Sequence, residues 1–179
     1  MRIVGGKYKG RTLLEFKGKD IRPTSDMARE SLFNILQFKI YGKTFLDLFA
    51  GTGAVGIEAL SRGASKTVFN DLDKNSVALI KQNLKKAGVE EEHQVLCSDA
   101  LMLLKSKREE FDYIYIDPPY KSQLYYELLS ASILSLKDGG TVILESESPL
   151  DFECKGLTLY DRRRYGRAHL TFYVKGENL

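Results

Sequence analysis

At 179 residues, with 43% hydrophobic and 28% charged, the chain can bury one sizeable core and is too evenly mixed for a disordered or low-complexity protein. No apolar run approaches the roughly 20 residues that cross a bilayer, and the opening MRIVGGKYKGR lacks a signal-peptide core, so a cytoplasmic protein without membrane attachment is expected. The net charge of +3 is modest; two cysteines (Cys97, Cys154) and two distant histidines (His93, His169) give neither a disulfide framework nor metal-ligand spacing, so reduced thiols and no metal are expected.

The segment up to Arg22 concentrates positive charge: Arg2, Lys7, Lys9, Arg11, Lys17, Lys19 and Arg22 stand against only Glu15 and Asp20. Glycines 5, 6 and 10 separate short β-prone pieces, so residues 1–22 read as a basic hairpin or extended arm before the main fold. Residues 23–41 read as an N-terminal helical segment. From Ser25 to Phe38, the residues Ala28, Leu32, Ile35 and Leu36 share one helix face, with Thr24 or Ser25 as N-cap and Gly42 as stop.

From Thr44 onward, short apolar strands alternate with helical segments. TFLDLF precedes a helix from Ala54 to Arg62, and KTVFND precedes one from Ser76 to Ala87, in which Val77, Ile80, Leu84 and Ala87 recur at helical spacing. HQVLCSD leads to a short helix through Leu104, FDYIYID to a helix from Gln123 to Leu136, and GTVILES is a fifth strand. Such alternation predicts a mostly parallel sheet covered on both faces. The tail breaks it: GLTLYDRRR and AHLTFYVKG, joined by YGR, predict an antiparallel hairpin at one edge of the sheet. Arg162, Arg163, Arg164 and Arg167 make this hairpin a second basic patch. Solvated surface charge explains any single lysine, but clustering at both ends with Tyr8 and Tyr165 interleaved suggests a polyanionic partner.

In LDLFAGTGAVGIEAL, Gly51, Gly53 and Gly56 spell G-x-G-x-x-G between a strand and a helix. The first glycine allows a tight turn, the second a close ligand approach and the third close helix packing. Asp71, 20 residues after Gly51, is placed to accept from the hydroxyls of a ribose, which favours an adenosine-containing ligand. Asp47, four residues before Gly51, would repel a pyrophosphate yet could accept from the ammonium of a methionine moiety. Asp99 in LCSDAL could accept from an adenine amine, with Ala100 giving a backbone N–H to the ring; the simpler role for Asp99 is an N-cap.

FDYIYIDPPY ends a core strand at the carboxyl edge, where ligands of open α/β folds bind. Pro118 and Pro119 stop the strand and fix the direction of the Pro118 carbonyl, while Tyr120 offers a ring on which a base can stack. An exocyclic base amine is a poor nucleophile until its N–H groups find acceptors. Asp117 and the Pro118 carbonyl can be those acceptors, and ionised Asp117 can stabilise the charge that grows on nitrogen.

With these residues in view, the sequence resembles the class I S-adenosylmethionine-dependent methyltransferases. RIVGGKYKGRTL, RPTSDMARESLFNIL, FLDLFAGTGAVGIEALSRGA and FDYIYIDPPY, in this order over nearly the whole chain, are similar to the bacterial RsmD family. Its members are 16S rRNA guanine-N2 methyltransferases of the small ribosomal subunit. The resemblance implies an α/β, Rossmann-like fold in a single domain over 1–179, with a mostly parallel seven-stranded sheet, a C-terminal antiparallel hairpin and a small N-terminal β extension. It implies that Asp47, Gly51 and Gly53 line the methionine end of S-adenosylmethionine, that Asp71 holds the ribose and Asp99 the adenine amine. Phe49, Ala50, Thr52, Leu72, Ala100 and Leu101 complete the donor site. Asp117, Pro118, Pro119 and Tyr120 would take the guanine and release S-adenosylhomocysteine, without a metal. Arg2, Lys7, Lys9, Arg11, Arg22, Arg162, Arg163, Arg164 and Arg167 would face the rRNA, free or within the small subunit or an assembly intermediate, with the protein a monomer.

Three alternatives stay open on the residues alone. A DNA adenine-N6 methyltransferase would use the same tetrapeptide, although nothing here resembles a base-recognition domain. A nicotinamide-dependent dehydrogenase would use the glycine turn, but Asp47 and the DPPY segment oppose it. A non-catalytic RNA-binding module needs only the basic ends.

Overall fold

The computed structural model describes residues 1–16, 26–119 and 124–176. The elements in chain order are α1 (Asp26–Leu36), β1 (Thr44–Asp47), α2 (Ala54–Ser61), β2 (Lys66–Asp71), α3 (Lys74–Lys86), β3 (Glu92–Cys97) and α4 (Ala100–Ser106). They continue with β4 (Phe111–Ile116), α5 (Tyr125–Ser132), β5 (Leu136–Ser146), β6 (Leu157–Tyr165) and β7 (Ala168–Lys175). The seven strands form one sheet in the order β3-β2-β1-β4-β5-β7-β6. The first five are mutually parallel; β7 runs antiparallel to both β5 and β6.

The central strands are covered on both faces. In β4 every residue except Asp112 is buried, the continuous apolar run expected of an inner parallel strand. On one face α1, α2, α3 and the N-terminal segment enclose Phe45, Phe69, Tyr115 and Phe172; on the other α4 and α5 enclose Leu46, Ile114, Ile116 and Val142. Burying each of these side chains contributes about 1.5–3 kcal/mol to folding.

Element boundaries follow local chemistry. The helix expected from Ser76 starts at Lys74 because the Asp73 side chain accepts from Asn75 N and caps it. The helix expected over Gln123 to Leu136 spans Tyr125–Ser132; Gln123 lies outside the described residues, and Leu136 instead pairs with Phe111 to open β5. That strand then shifts register before Thr141, around Gly139 at φ +72°. The proposed caps Thr24 and Ser25 also lie outside the described residues.

The N-terminal segment is docked on the helices rather than projecting from the domain. Arg2 bridges to Thr12 in antiparallel sense, Lys7 N donates to Ser61 O at 2.7 Å, Tyr8 N to Ser61 Oγ at 3.0 Å and Val4 N to Glu58 Oε2 at 2.9 Å. Ile3 and Tyr8 are buried in the same core as α2 and α3. The C-terminal pair turns through Gly166 and Arg167, with Tyr165 opposite Ala168. Among the described residues no helix is long and apolar enough to cross a membrane.

Strand order reverses between β1 and β4: β2 and β3 extend the sheet one way from β1, and β4 and β5 the other. Open α/β sheets have their ligand crevice at the carboxyl ends beside such a reversal. The glycine turn leaves β1 there, and Asp117 leaves β4 there.

Candidate functional site

The glycine turn is held from below and from the side. Leaving β1, Ala50 N donates to Asn70 O at 2.9 Å and Gly53 N to Ala50 O at 2.7 Å, closing a tight turn. Gly51 and Gly53 adopt φ +55° and +79°, conformations that favour glycine. A side chain on Gly53 would meet Ile80, whereas nothing lies within 4 Å of one built on Gly51. The side on which a Cβ would project is thus open at Gly51 and packed against α3 at Gly53. Gly56 has no room at all: a Cβ there would stand 2.3 Å from the Phe69 ring. The third glycine thus sets how closely α2 packs on β2.

Asp47 is 1% exposed and its Oδ2 accepts from Gly56 N at 2.9 Å, capping the first turn of α2 from the strand below. Burial pushes its carboxyl up to about 7, and the charge of Asp71 adds to this; the Gly56 N–H opposes the rise. Asp71 accepts from Gly51 N at 2.8 Å through Oδ2 and from Asp73 N at 2.9 Å through Oδ1. Asp99 is the N-cap of α4, accepting from Met102 N at 2.9 Å, and its side chain is exposed. The helix-capping bond each of Asp47 and Asp99 makes does not preclude the ligand contact expected of it, since a carboxylate oxygen accepts more than one bond. Leu72 is 71% exposed beside Asp71, an apolar face at the rim; Phe49 and Leu101 are half-buried, and Ala50 and Ala100 are buried.

The β4 end lies next to this turn. Leu48 N donates to Tyr115 O at 3.0 Å, stitching the end of β1 to the end of β4 two residues before Asp117. Pro118 is buried and Pro119 exposed; Tyr120 lies outside the described residues. On the far side of β4, the Tyr115 hydroxyl donates to Glu145 Oε2 and the Tyr125 hydroxyl donates to the Glu145 carbonyl at 2.9 Å. Burial holds the Tyr125 phenol well above its ordinary pKa, and the negative charges of Asp117, Glu145 and Glu147 add to it.

The two basic patches are separated. Strand β6 is parallel to β5, so its end at Arg164 and Tyr165 reaches the carboxyl edge: Arg164 stands opposite His169, which stands opposite Ser146. The arginines do not form one surface. Strand alternation divides them, and the register shift at Tyr160 decides the faces: Arg163 lies opposite Leu170 on the α1 face while Arg162 and Arg164 point to the other. Arg162 pairs with Asp151, Arg163 with Asp161, and Arg164 Nε donates to Gly166 O; Arg167 is exposed on the turn. In the arm, Lys7 pairs with Glu90 and Glu91, while Arg11 donates to Ala87 O and covers the Tyr8 ring. Those partners lie where α3 passes into β3, at the amino edge, so the structure does not bring Lys7 and Arg11 to Asp117. Arg2 and Lys9 are exposed; Arg22 lies outside the described residues.

Sequence reasoning missed three polar residues that build the site. Asn70 Nδ2 donates to Leu48 O and Ser98 O while Oδ1 accepts from Ser98 Oγ, tying together the ends of β1, β2 and β3. Asn83, fully buried, joins Leu14 to Thr52. Its signal was an amide three residues after Ile80, on the apolar face of α3. Glu145 was visible as an acid ending the buried strand GTVILES.

Among the described residues no group of three or more His, Cys, Asp or Glu is placed to hold a metal ion. Cys97 is exposed and Cys154 buried, both as free thiols.

The family described as conserved hypothetical protein 95 matches residues 1–174. Bacillus subtilis YlbH, provisionally named an rRNA methyltransferase, is 37% identical over 98% of this chain and 99% of its own. The Haemophilus influenzae protein named ribosomal RNA small subunit methyltransferase D is 35% identical over 82% of this chain and 79% of its own. An Escherichia coli structure, yhhF, provisionally described as a methyltransferase, superposes with a TM-score of 0.88 at 28% identity and covers 99% of each chain. With the strand order, this likeness makes the fold the Rossmann-like one of methyltransferases.

Proposed function

The chain belongs to the RsmD family, the one described as conserved hypothetical protein 95, and on that premise we propose that it transfers a methyl group from S-adenosylmethionine to the N2 amine of a guanine in small-subunit rRNA. The observation that carries this reading is the adjacency of two strand ends. The glycine turn after β1 and Asp117-Pro118-Pro119 after β4 emerge side by side at the point of strand reversal, joined by the Leu48–Tyr115 hydrogen bond.

The residues present fit the donor. Open space at Gly51 admits a backbone contact, and the exposed side chain of Leu72 gives an adenosine an apolar wall. Asp71 would hold the ribose and Asp99 the adenine amine. Asp47, buried and poised near 7, would gain its charge opposite the ammonium of the methionine end. S-adenosylmethionine, when bound, supplies an electrophilic methyl on a sulfonium. Asp117 and the Pro118 carbonyl accept the two N–H groups of the amine and fix its nitrogen toward that methyl. As charge develops on nitrogen, Asp117 stabilises it, and the proton leaves afterwards. Placement of the reacting atoms in line supplies several kcal/mol more of the barrier reduction. The arginines at the end of the β6–β7 hairpin would contact phosphates on the same edge.

Calorimetry with S-adenosylhomocysteine and with NAD tests the donor class. Binding of the first alone is expected; binding of NAD with none of S-adenosylhomocysteine would reject the proposal.

A further inference from the structure

The outer edge of the sheet, where α3 covers β3, carries positive charge that the amine chemistry does not use. Helix α3 reads KNSVALIKQNLKK, with four lysines and no acid. Ile80 and Leu84 are buried against the sheet, while Lys74, Lys81 and Lys85 recur at i, i+7 and i+11 as one exposed stripe along the helix. Lys81 and Lys85 rim a cleft of about 590 Å³ between α3 and β3. Leu84, Val89 and Val95 give it an apolar floor, and His93, whose Nδ1 is held by Glu91 O at 2.8 Å, lines it from β3. The acids where α3 passes into β3 are already engaged. Glu90 and Glu91 pair with Lys7, the Tyr8 hydroxyl donates to Glu91 Oε2, and Glu92 pairs with Lys66. Among the described residues neither Lys81 nor Lys85 makes an ion pair, so their charge is unopposed. The cleft is also continuous with the N-terminal segment: Arg11 donates to Ala87 O, next to the cleft-lining Gly88, and its guanidinium covers the Tyr8 ring.

We infer that this cleft is an RNA-binding surface, in which Lys81 and Lys85 hold phosphates of the substrate strand at a distance from the target base and Arg11 extends the same positive track. The inference rests on the proposed rRNA methylation and deepens it. Two unopposed cations over an apolar floor match a nucleotide, which carries an anionic phosphate beside an apolar base face. The substrate of the proposed reaction is itself a polyanion, which makes it the occupant this charge selects. Helix α3 runs from the donor edge back toward the amino edge, so Lys85 lies about 16 Å along the helix from Lys74. A contact there touches no reacting atom. It adds affinity for RNA and leaves the chemical step alone. The basic arm, which does not reach Asp117, thereby gains a role at its own edge.

The test compares the wild type with the double variant Lys81→Gln, Lys85→Gln, whose changes are both exposed. Binding of a small-subunit rRNA fragment should weaken roughly 10- to 50-fold at about 0.1 M salt, and the salt slope should fall by roughly 2. In methyl transfer KM should rise with kcat unchanged, while S-adenosylhomocysteine binding and thermal unfolding stay as in the wild type. The charge-keeping variant Lys81→Arg, Lys85→Arg should restore RNA binding. Equal affinity and equal salt slope for the wild type and the glutamine variant overturn the inference. So does a glutamine variant that binds the free fragment normally but loses activity on assembled subunits, a result that assigns the cleft to an acidic protein surface. If the wild type forms no N2-methylguanosine on rRNA, the underlying function falls instead; if it does and the two lysines leave affinity untouched, the fault lies with the cleft alone.

Discussion

The side-chain amide of Asn83, in the last turn of α3, donates to the carbonyl of Thr52 in the glycine turn at 2.9 Å. The same amide nitrogen donates to Leu14 O at 3.1 Å, and its Oδ1 accepts from Leu14 N at 2.7 Å. One fully buried residue therefore fastens both the N-terminal segment and the proposed donor loop to α3. Substituting Asn83→Leu leaves three backbone groups without their partner. It should lower stability by about 2–4 kcal/mol and weaken S-adenosylhomocysteine binding, as thermal unfolding and calorimetry would show. An unchanged donor affinity in a folded variant would separate the loop from the arm.

Gly56 is fixed by packing rather than by backbone conformation. A methyl group there would lie 2.3 Å from the Phe69 ring, between α2 and β2. Gly56→Ala should destabilise the fold by about 1–3 kcal/mol, and Phe69→Leu in the same chain should recover part of that loss. Chemical denaturation of the two single variants and the double variant gives the coupling; simple additivity would place the strain elsewhere.

Asp47 makes stability and donor binding depend on pH. Its folded pKa, raised to about 7 by burial, exceeds the value of about 3.9 in an unfolded chain. The folded state therefore binds more protons between these values. The contribution is fully present below about pH 4, falls as pH rises toward 7 and is gone above it. At about 1.4 kcal/mol per unit of pKa, the effect is a few kcal/mol at most. Asp47→Asn should flatten this part of the stability profile. If Asp47 meets the methionine ammonium, binding S-adenosylhomocysteine at pH 6 should release a proton, seen as a dependence of the binding heat on the buffer's ionisation enthalpy; no such dependence would remove Asp47 from the donor site.

The basic patches should contribute unequally to RNA binding. Arg164 and Arg167 lie at the end of the β6–β7 hairpin, on the edge where Asp117 emerges, whereas Lys7 is held by Glu90 and Glu91 at the opposite edge. Arg164→Ala and Arg167→Ala should each weaken rRNA binding and reduce its salt slope by roughly 1, and Lys7→Ala should change it less. Filter binding across a salt series would show the order, and a larger effect at Lys7 would reverse it.

The repeating β/α part of the fold is legible in the local pattern of residues. Strand β2 has the expected bounds at Lys66 and Asp71, because an apolar run and a terminal acid define both ends locally. Residues whose role depends on distant partners are not legible in this way. Nothing near Val4 or Tyr8 announces Glu58 and Ser61 as partners, so the docked arm reads as a free one. RRRYGR reads as one patch because its charges are consecutive in sequence, whereas strand alternation sends Arg163 to one face and Arg162 and Arg164 to the other; which face each takes depends on the register shift at Tyr160, which has no sequence marker. The glycine spacing locates the turn but not that the Cβ side of Gly53 packs against Ile80 from another helix. Glu145 requires only the rule already applied to Asp117, an acid at the end of a buried strand, but its neighbour can be named only from the register of β4 with β5.

Asp117 as the amine acceptor beside a donor bound at the glycine turn is tested most directly by labelled methyl transfer by the wild type and Asp117→Ala onto unmodified small subunits, free rRNA and DNA in parallel, followed by identification of the modified nucleoside. The wild type should place label on rRNA as N2-methylguanosine. Asp117→Ala should bind S-adenosylhomocysteine normally while turnover falls roughly 100- to 1,000-fold. An Asp117→Ala variant as active as the wild type, or label found in DNA adenine and not in rRNA, would contradict it.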